Sequence, residues 1–370
     1  MKKGGSNGEF WKRKKQRPDG ESSSRDKSNF KGSNGANKKA SGEALEQQPS
    51  SSDLLWSNKL ISEGSPVDYT VSIAIPSSIL KTAKTTELKS YLVGQIARAC
   101  AIHEVDEIIV YMDSPYESSE DLEKGPGIFF CRLLQYLECP PYLRGTLFPT
   151  HNDLKFANLL PALNMPHHMS SDAVSLYREG VIVGKPTATG SLVNVGLSVE
   201  AVISHQLQAG IRVTVKIAEP SSSNSKAPMN GEAVSPRYLR EKQGLYWGYE
   251  TRLVSSFSEI ISGCPYINAD SEDAGYDLLI GNSDKGSKSI DSNSLTVPRF
   301  KHALIVFGGI GGIESFIVAD ESFDTKASDV ESLFDHWLDL APSRGSRGVR
   351  TEEAVLIGLA KLTSIFTQPR

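Results

Sequence analysis

The sequence predicts an α/β fold whose parallel sheet is interrupted by a small β-barrel and preceded by a disordered basic tail. A strand–helix–strand unit occupies 69–112, short strands between Gly and Ser turns occupy about 174–253, and two buried strands and a last helix occupy 276–366. Alternating strands and helices indicate a parallel sheet, and short strands at close spacing indicate a barrel. We therefore predict a tail at 1–66, a first domain part at 67–170, an inserted OB-like barrel at 171–254 and a second domain part at 255–370.

The first α/β unit is read from runs of apolar residues. Thr70–Ile75 is a β-rich run that ends at Pro76, and Glu107–Met112 is a second buried strand. Between them, apolar residues recur at helical spacing from Thr86 to His103. A further helix is predicted from Ile128 to Leu137, before two consecutive prolines.

The α/β pattern resumes after the barrel. Tyr276–Ile280 and Ala303–Phe307 read as buried strands, each followed by glycine. The last helix is predicted over Glu352–Phe366, with Thr351 as its N-cap and acidic residues in its first turn.

Charge is distributed unevenly along the chain. The first 40 residues hold twelve Lys or Arg and four Asp or Glu. The other 330 residues hold 28 Lys or Arg and 40 Asp or Glu. A basic tail of this kind favours nuclear import or attraction to phosphate. The N-terminal region lacks the apolar run of a secretory signal, and no stretch reaches the roughly 20 apolar residues of a membrane helix, so we expect an intracellular protein. The four cysteines form no CxxC pair and are predicted to be core residues, with no metal site.

Three segments near the C-terminus have the composition of a binding site. Ile280–Ser283 and Phe307–Glu314 follow strands, where glycine lets the backbone approach a ligand closely. The second run is not a dinucleotide fingerprint, because Glu314 stands where a third glycine is required. The third segment, Ser343–Ala354, contains three arginines and two glycines before the last helix, which capping alone does not explain.

These motifs resemble those of the SPOUT class of RNA methyltransferases. Along the chain, a strand is followed by the motif Phe-Gly-Gly-x-x-Gly. The last helix then begins within the motif Gly-Ser-Arg-x-x-Arg-Thr-Glu-x-Ala. The resemblance is strongest to the branch that methylates ribosomal uridine at N3 and to eukaryotic SPOUT proteins that include a spindle-associated human one. It covers about residues 70–366 and includes the runs Gly94–Ile102, Leu134–Pro140, Gly244–Tyr249, Arg299–Leu304 and Arg350–Ala354.

The resemblance implies a C-terminal trefoil knot, a homodimer, and S-adenosylmethionine held by three knot loops. The acid that often lies within the middle glycine loop of the family is absent here. The implied substrate is RNA, in particular ribosomal RNA, at uridine N3 or a ribose 2′-hydroxyl, and the implied location is the nucleus or nucleolus, with the spindle as a further site. Carried over by position, the cofactor-binding residues are Gly281, Ser283, Gly308, Gly309, Gly311, Gly312, Arg347, Val349, Arg350, Thr351 and Ala354.

Arg98 is the predicted catalytic residue. Helical spacing places Gly94, Gln95 and Arg98 opposite the apolar stripe of the first helix. In ribose-methylating relatives, an arginine in a similar motif acts across the dimer interface, so the resemblance implies that Arg98 activates the nucleophile or orients RNA. A guanidinium suits a developing oxyanion, although an arginine on a polar helix face is also commonly just solvated.

The barrel region supplies the predicted RNA-binding residues. Aromatic rings with basic residues nearby suit stacking on single-stranded RNA, and the same alternation also fits core packing. The candidates are Arg237, Arg240, Tyr246, Trp247 and Arg252. Two other classes stay open: a SPOUT-fold scaffold that binds RNA or spindle components without catalysis, and a nucleotide-dependent oxidoreductase, which the missing fingerprint disfavours.

Overall fold

The computed structural model describes residues 65–113, 125–173, 175–186, 190–218, 227–267, 275–292, 295–323 and 325–367. The predicted disordered tail lies outside these residues except for its last two positions. None of the helices in these ranges is long and apolar enough to cross a lipid bilayer.

A parallel sheet of seven strands forms the body of the fold. The strands are, in chain order, β1 (Thr70–Pro76), β2 (Glu107–Tyr111), β8 (Glu250–Val254), β9 (Leu278–Asn282), β10 (Lys288–Ser289), β11 (His302–Phe307) and β12 (His336–Asp339). Their spatial order is β10-β12-β9-β11-β1-β2-β8, and each neighbouring pair is parallel. The predicted α/β class is therefore confirmed.

The central strands form because almost all of their side chains are buried. Every residue of β1, β2 and β11 is buried, and the three strands are rich in Ile and Val. A parallel strand covered on both faces reads as a continuous apolar run, which explains why the sequence predicted these strands well. The polar exceptions are paired; for example, the Ser72 hydroxyl donates to the buried Glu107 carboxylate at 2.8 Å.

Helices cover both faces of this sheet. They are α1 (Thr86–Ile102), α2 (Pro126–Glu138), α3 (Pro141–Leu147), α4 (Pro236–Gln243), α5 (Phe257–Ser262), α6 (Gly312–Val318) and α7 (Thr351–Phe366). Side chains of α1, α2 and α7 share one core cluster, and those of α5 and α6 share the cluster on the other face. All four cysteines are buried free thiols, as predicted.

Helix ends follow the local sequence signals, with two corrections. The Thr85 hydroxyl accepts from the Leu88 amide at 3.2 Å and caps α1. Thr351 does not cap α7 as predicted, because it is the first helical residue and its hydroxyl donates elsewhere. Gly94 was placed on the polar face of α1, but it is buried because Leu160 packs against it.

The inserted segment forms a closed barrel of five strands. These are β3 (Tyr177–Pro186), β4 (Ser191–Asn194), β5 (Ala201–Ile203), β6 (Arg212–Ile217) and β7 (Met229–Val234), closed in the order β3-β4-β5-β7-β6. The strand expected near Tyr246–Leu253 is not part of it. That segment runs into β8, which pairs with β2 at the edge of the large sheet, because Tyr246 and Tyr249 are buried in the main core.

Buried charges join the barrel to the α/β domain. Arg212 of β6 donates from Nη2 to Glu138 at 2.9 Å, at the end of α2, and from Nε to Glu179 of β3 at 2.5 Å. Trp247 donates from its ring nitrogen to Glu179 at 2.5 Å, and His167 contacts Glu138 at 2.9 Å. Burial raises the pKa of Glu138, but Arg212 and His167 outweigh this effect and lower it to about 2.

Candidate active site

A cavity of about 370 Å³ lies at the carboxyl edge of the sheet. Three segments surround it: the turn after β9, the glycine loop after β11, and the stretch from the end of β12 to the start of α7. This is the edge at which open α/β sheets bind ligands, and the volume suits a small molecule. The lining residues are Asn282 to Lys285, Gly308 to Glu314, Asp339 to Ala341, Arg344, Gly348, Val349 and Ala354.

The glycine loop after β11 brings backbone to the cavity without side chains. Gly312 has a φ of 78°, which favours glycine, and it begins α6. A Cβ at Gly309 would lie 2.6 Å from an Asp113 carboxylate oxygen and 2.9 Å from the Ser78 hydroxyl oxygen. Both glycines are therefore required by the fold of the loop.

The start of α7 is tied to that glycine loop. The Thr351 hydroxyl donates to the Gly308 carbonyl at 3.0 Å, and the Glu353 carboxylate accepts from the Arg350 amide at 3.0 Å. Gly358 packs against the side chains of Leu340 and Phe307. These contacts hold the first turns of the last helix against the end of β11.

A buried tyrosine supports the base of the loop. The Tyr111 hydroxyl, at the end of β2, donates to the Phe307 carbonyl at 2.6 Å, and its ring stacks on Phe316 of α6 at 4.2 Å between centroids. Burial raises the pKa of Tyr111 well above its usual value, and the nearby carboxylates of Asp113 and Glu314 raise it further. The phenol therefore stays protonated and acts as a hydrogen-bond donor to the loop.

The structure brings most of the predicted cofactor residues together. Those that line the cavity are Ser283, Gly308, Gly309, Gly311, Gly312, Val349 and Ala354. Gly281 lies behind the wall, where a Cβ would overlap the ring of Trp337. Arg347 and Arg350 are exposed beside the cavity, and Thr351 contributes through its bond to Gly308.

One wall of the cavity was not predicted. Asp339, at the end of β12, accepts from the Ala341 amide at 3.0 Å and from Arg344 at 2.7 Å. Arg344 also donates to the Ala341 carbonyl at 3.1 Å, so the turn closes on itself. The available signal was an acid followed five positions later by an arginine, with Leu340, Ala341, Pro342 and Ser343 between them, but β12 itself is too short to stand out.

Arg98 does not reach this cavity within one chain. It is not among the lining residues, and its guanidinium donates to the Leu163 carbonyl. The C-terminal end of α1 lies near the end of α7, where the Thr363 hydroxyl and His103 are 3.4 Å apart, whereas the start of α7 lies at the cavity.

Most of the predicted RNA-binding residues are in the interior. Tyr246 and Trp247 are each 5 % exposed, and the Tyr246 hydroxyl donates to the Val105 carbonyl at 2.8 Å. Arg240 is buried and pairs with Asp106 at 2.9 Å, and Arg252 pairs with Glu107 at 2.9 Å. Because the side chains of Tyr246, Trp247 and Arg240 are buried against protein partners, they have no free face for RNA, whereas Arg252 is 23 % exposed beside Glu107.

Arg237 is different, because it is half exposed on α4. It lies over the ring of Tyr266 at 5.2 Å and beside Glu241 at 3.4 Å. It borders a second cavity of about 500 Å³, between the barrel and the amino edge of the sheet, which is also lined by Asp106, Glu250 and His302. Although this cavity is larger, it lies at the edge opposite the glycine turns.

The cavity at the carboxyl edge combines carboxylates with apolar surface. Carboxylates of Asp284, Glu314 and Asp339 suit amino and hydroxyl groups, and Ile313, Leu340, Val349 and Ala354 provide apolar surface. Among the described residues, no group of three or more His, Cys, Asp or Glu side chains is arranged to bind a metal ion. Fold and site together define an α/β protein with a cavity at the carboxyl edge of its sheet that suits a small molecule.

Comparison with known proteins gives the family. Residues 70–362 match a family model described as "Putative RNA methyltransferase". The chain is 44 % identical to the mouse 28S rRNA (uridine-N(3))-methyltransferase over 81 % of its own length and 77 % of the relative's. It is 45 % identical to the human protein of that name over 80 % of its own length and 78 % of the relative's. It is 42 % identical to the Drosophila melanogaster protein of that name over 82 % of its own length and 64 % of the relative's. The chain belongs to this family and is an RNA methyltransferase, an enzyme that requires a methyl donor.

Proposed function

We propose that this enzyme transfers a methyl group from S-adenosylmethionine to N3 of a uridine in the RNA of the large ribosomal subunit. The observation that carries the proposal is the cavity bounded by the turn after β9, the glycine loop and the start of α7. The activity named for the mouse and human relatives, which share 44 % and 45 % identity with the chain, supports the choice of base and atom.

The residues that would hold the methyl donor are those of the three segments. They are Gly281, Ser283, Gly308, Gly309, Gly311, Gly312, Arg347, Val349, Arg350, Thr351 and Ala354, joined by Asp339 and Arg344 from the unpredicted wall. When bound, S-adenosylmethionine supplies an activated methyl group, because its positively charged sulfur is a good leaving group. The backbone of the glycine loop and the amides at the start of α7 would orient it. We propose the trefoil knot for the same C-terminal segment, which the contacts of Thr351 and Gly358 with the end of β11 support.

We further propose a homodimer that uses the exposed faces of α1 and α7. Leu88 and Tyr91 are 53 % and 52 % exposed on α1, and Leu356 and Ile357 are 46 % and 36 % exposed on the neighbouring helix α7. An apolar patch of this kind on a water-exposed surface is typical of a protein interface. Arg98 lies seven residues beyond Tyr91 on the same helix, so a partner chain could present it to the reacting base, where a guanidinium would stabilise charge on the uridine oxygens.

The dimer gives a direct prediction. Tyr91→Glu or Leu356→Glu would place one unpaired carboxylate from each chain in the symmetric interface. Burial of these two charges should weaken association by about 3–5 kcal/mol. Sedimentation velocity should show a dimer for the wild-type protein and a monomer for both variants. Ile267→Glu, at a residue that is 66 % exposed elsewhere, is the matched control and should stay dimeric. Dimeric Tyr91→Glu and Leu356→Glu proteins would place the interface elsewhere.

The function is tested with large-subunit ribosomal RNA from cells that lack the protein. After incubation with the purified enzyme and methyl-labelled S-adenosylmethionine, nucleosides are separated and identified by mass spectrometry. We expect label in 3-methyluridine. Label in 2′-O-methyluridine would correct the atom, and RNA binding without any labelled nucleoside would favour the scaffold. We propose the nucleus, and within it the nucleolus, as the place of action, because ribosomal RNA is the substrate.

A further inference from the structure

A carboxylate and a hydroxyl group lie together at the carboxyl edge of the sheet, beside the glycine loop. Asp113 follows β2 and Ser78 follows β1. The Ser78 hydroxyl donates to Oδ2 of Asp113 at 2.5 Å, and the Ser78 amide donates to Oδ1 at 3.1 Å. Two donors from one residue fix the plane of the carboxylate, while each oxygen keeps a second lone pair for another partner.

This pair borders the proposed methyl-donor cavity without lining it. Gly309 is part of the cavity wall, and a Cβ at that position would lie 2.6 Å from Oδ2 of Asp113. Asp113 and Ser78 are not among the lining residues. The carboxylate therefore lies one backbone thickness from the cavity, on the outer side of the glycine loop.

The other carboxylates around the loop, those of Asp284, Glu314 and Asp339, all line the proposed methyl-donor cavity itself. Asp339 is paired with Arg344 at 2.7 Å, and Glu314 lines the cavity and lies against Gly312. Asp113 is partly exposed, and within the described part of the chain its carboxylate has no cationic partner. The remaining lone pairs of this carboxylate are therefore open to a hydrogen-bond donor of a substrate.

We propose that Asp113, held in place by Ser78, is the general base that removes the N3 proton of the target uridine. The inference rests on the proposed function, because N3 carries a proton that must leave before or during methylation. The N3–H bond breaks and its proton passes to a free lone pair of Asp113. The N3 electron pair forms the new bond to the methyl carbon, and the electrons of the sulfur–methyl bond remain on the sulfur of the donor. Solvent then takes the proton from Asp113.

The alternative role for Asp113 is structural. Its bond to the Ser78 amide also holds the 3-10 turn Ser77–Thr82, so a variant could fail by loosening this turn. Asp113→Asn separates the two roles, because the amide oxygen can still accept from the Ser78 amide and the NH2 group can donate to the Ser78 hydroxyl oxygen. The side-chain amide cannot take a proton at neutral pH. A base contributes about 10²–10⁴-fold to a rate, so kcat should fall by that factor.

The experiment uses the full-length enzyme and a ribosomal RNA fragment with either uridine or 5-fluorouridine at the target position. Fluorine makes N3 more acidic, so N3 ionises with less help from a base. For Asp113→Asn we expect a large loss of kcat on the uridine substrate, substantial recovery on the 5-fluorouridine substrate, and calorimetric affinity for S-adenosylhomocysteine equal to that of the wild type. The control is Asp320→Asn, because Asp320 also accepts from a backbone amide, that of Ser258 at 2.7 Å, but lies away from the cavity. Its kcat should equal that of the wild type.

The outcomes separate this inference from the proposed function. Wild-type kcat in Asp113→Asn, or an equal loss of kcat on both substrates, overturns the role of Asp113 and leaves the function intact. A wild-type enzyme that forms no 3-methyluridine overturns both. A loss of S-adenosylhomocysteine affinity as large as the loss of kcat also overturns the proposal, because it assigns Asp113 to the structure of the cavity.

Discussion

Replacing Arg212 with alanine is expected to lower the free energy of unfolding by about 3–5 kcal/mol, because it leaves buried carboxylates without their cation. Arg212 bonds both Glu138 and Glu179, whose side chains are 9 % and 3 % exposed. The loss is measured by urea unfolding at neutral pH. The control is Arg237→Ala, which breaks an exposed pair with Glu241 and should cost less than about 1 kcal/mol.

The loss of unfolding free energy caused by Arg212→Ala should depend on pH. The pKa of Glu138 is lowered from its ordinary 4.5 to about 2 in the folded protein, so the charged form stabilises the fold above pH 4.5. That contribution is lost as the pH falls from about 4.5 to about 2, because the unfolded chain then binds a proton that the folded chain does not. The difference between wild type and Arg212→Ala should therefore shrink over this interval. A pH-independent difference would mean that Arg212 acts through packing alone.

Filling the carboxyl-edge cavity is expected to abolish cofactor binding. Ala354 lies in the first turn of α7, is 6 % exposed and lines the cavity. Leucine at this position adds three carbon atoms to a space of about 370 Å³ next to the glycine loop. We expect affinity for S-adenosylhomocysteine, measured by calorimetry, to fall by about 100-fold or more, equivalent to about 3 kcal/mol.

The control for this variant is Ala319→Leu, at the exposed end of α6, the helix whose first turn forms part of the cavity. Its affinity should match that of the wild type. Thermal unfolding of both variants shows whether overpacking, which costs about 1–3 kcal/mol, has affected the fold. Unchanged affinity in a folded Ala354→Leu protein would mean that the cofactor binds elsewhere.

The central strands and the long helices were predictable because burial fixes their composition. The runs at β1, β2 and β11 are apolar on both faces, and α1 was predicted within one residue of its observed end. Membership of a sheet was not predictable, because it depends on pairing between distant segments. The β8 segment was predicted as a barrel strand, yet it pairs with β2. The barrel is closed instead by β7, which was not predicted as a strand.

In the candidate site, too, some features were predictable from the local sequence and others depend on contacts between distant segments. The glycine loop was identifiable from the sequence because several glycines close together after a strand indicate a backbone that other residues could not adopt. The Asp339–Arg344 turn was not, because β12 is four residues long and its role depends on pairing with β9. Tyr246 and Trp247 were misjudged because an aromatic residue near basic residues has the same local pattern in a core as on an RNA-binding surface, and only the partners Val105 and Glu179 decide between them.

The binding site of the methyl donor is tested most directly by a crystal structure of the protein with S-adenosylhomocysteine. We predict the ligand between Ser283, the glycine loop after β11 and Ala354. The protein also has a larger cavity of about 500 Å³ at the opposite edge of the sheet, between the barrel and Tyr266. A ligand bound in that cavity, with the glycine loop empty, would contradict the account.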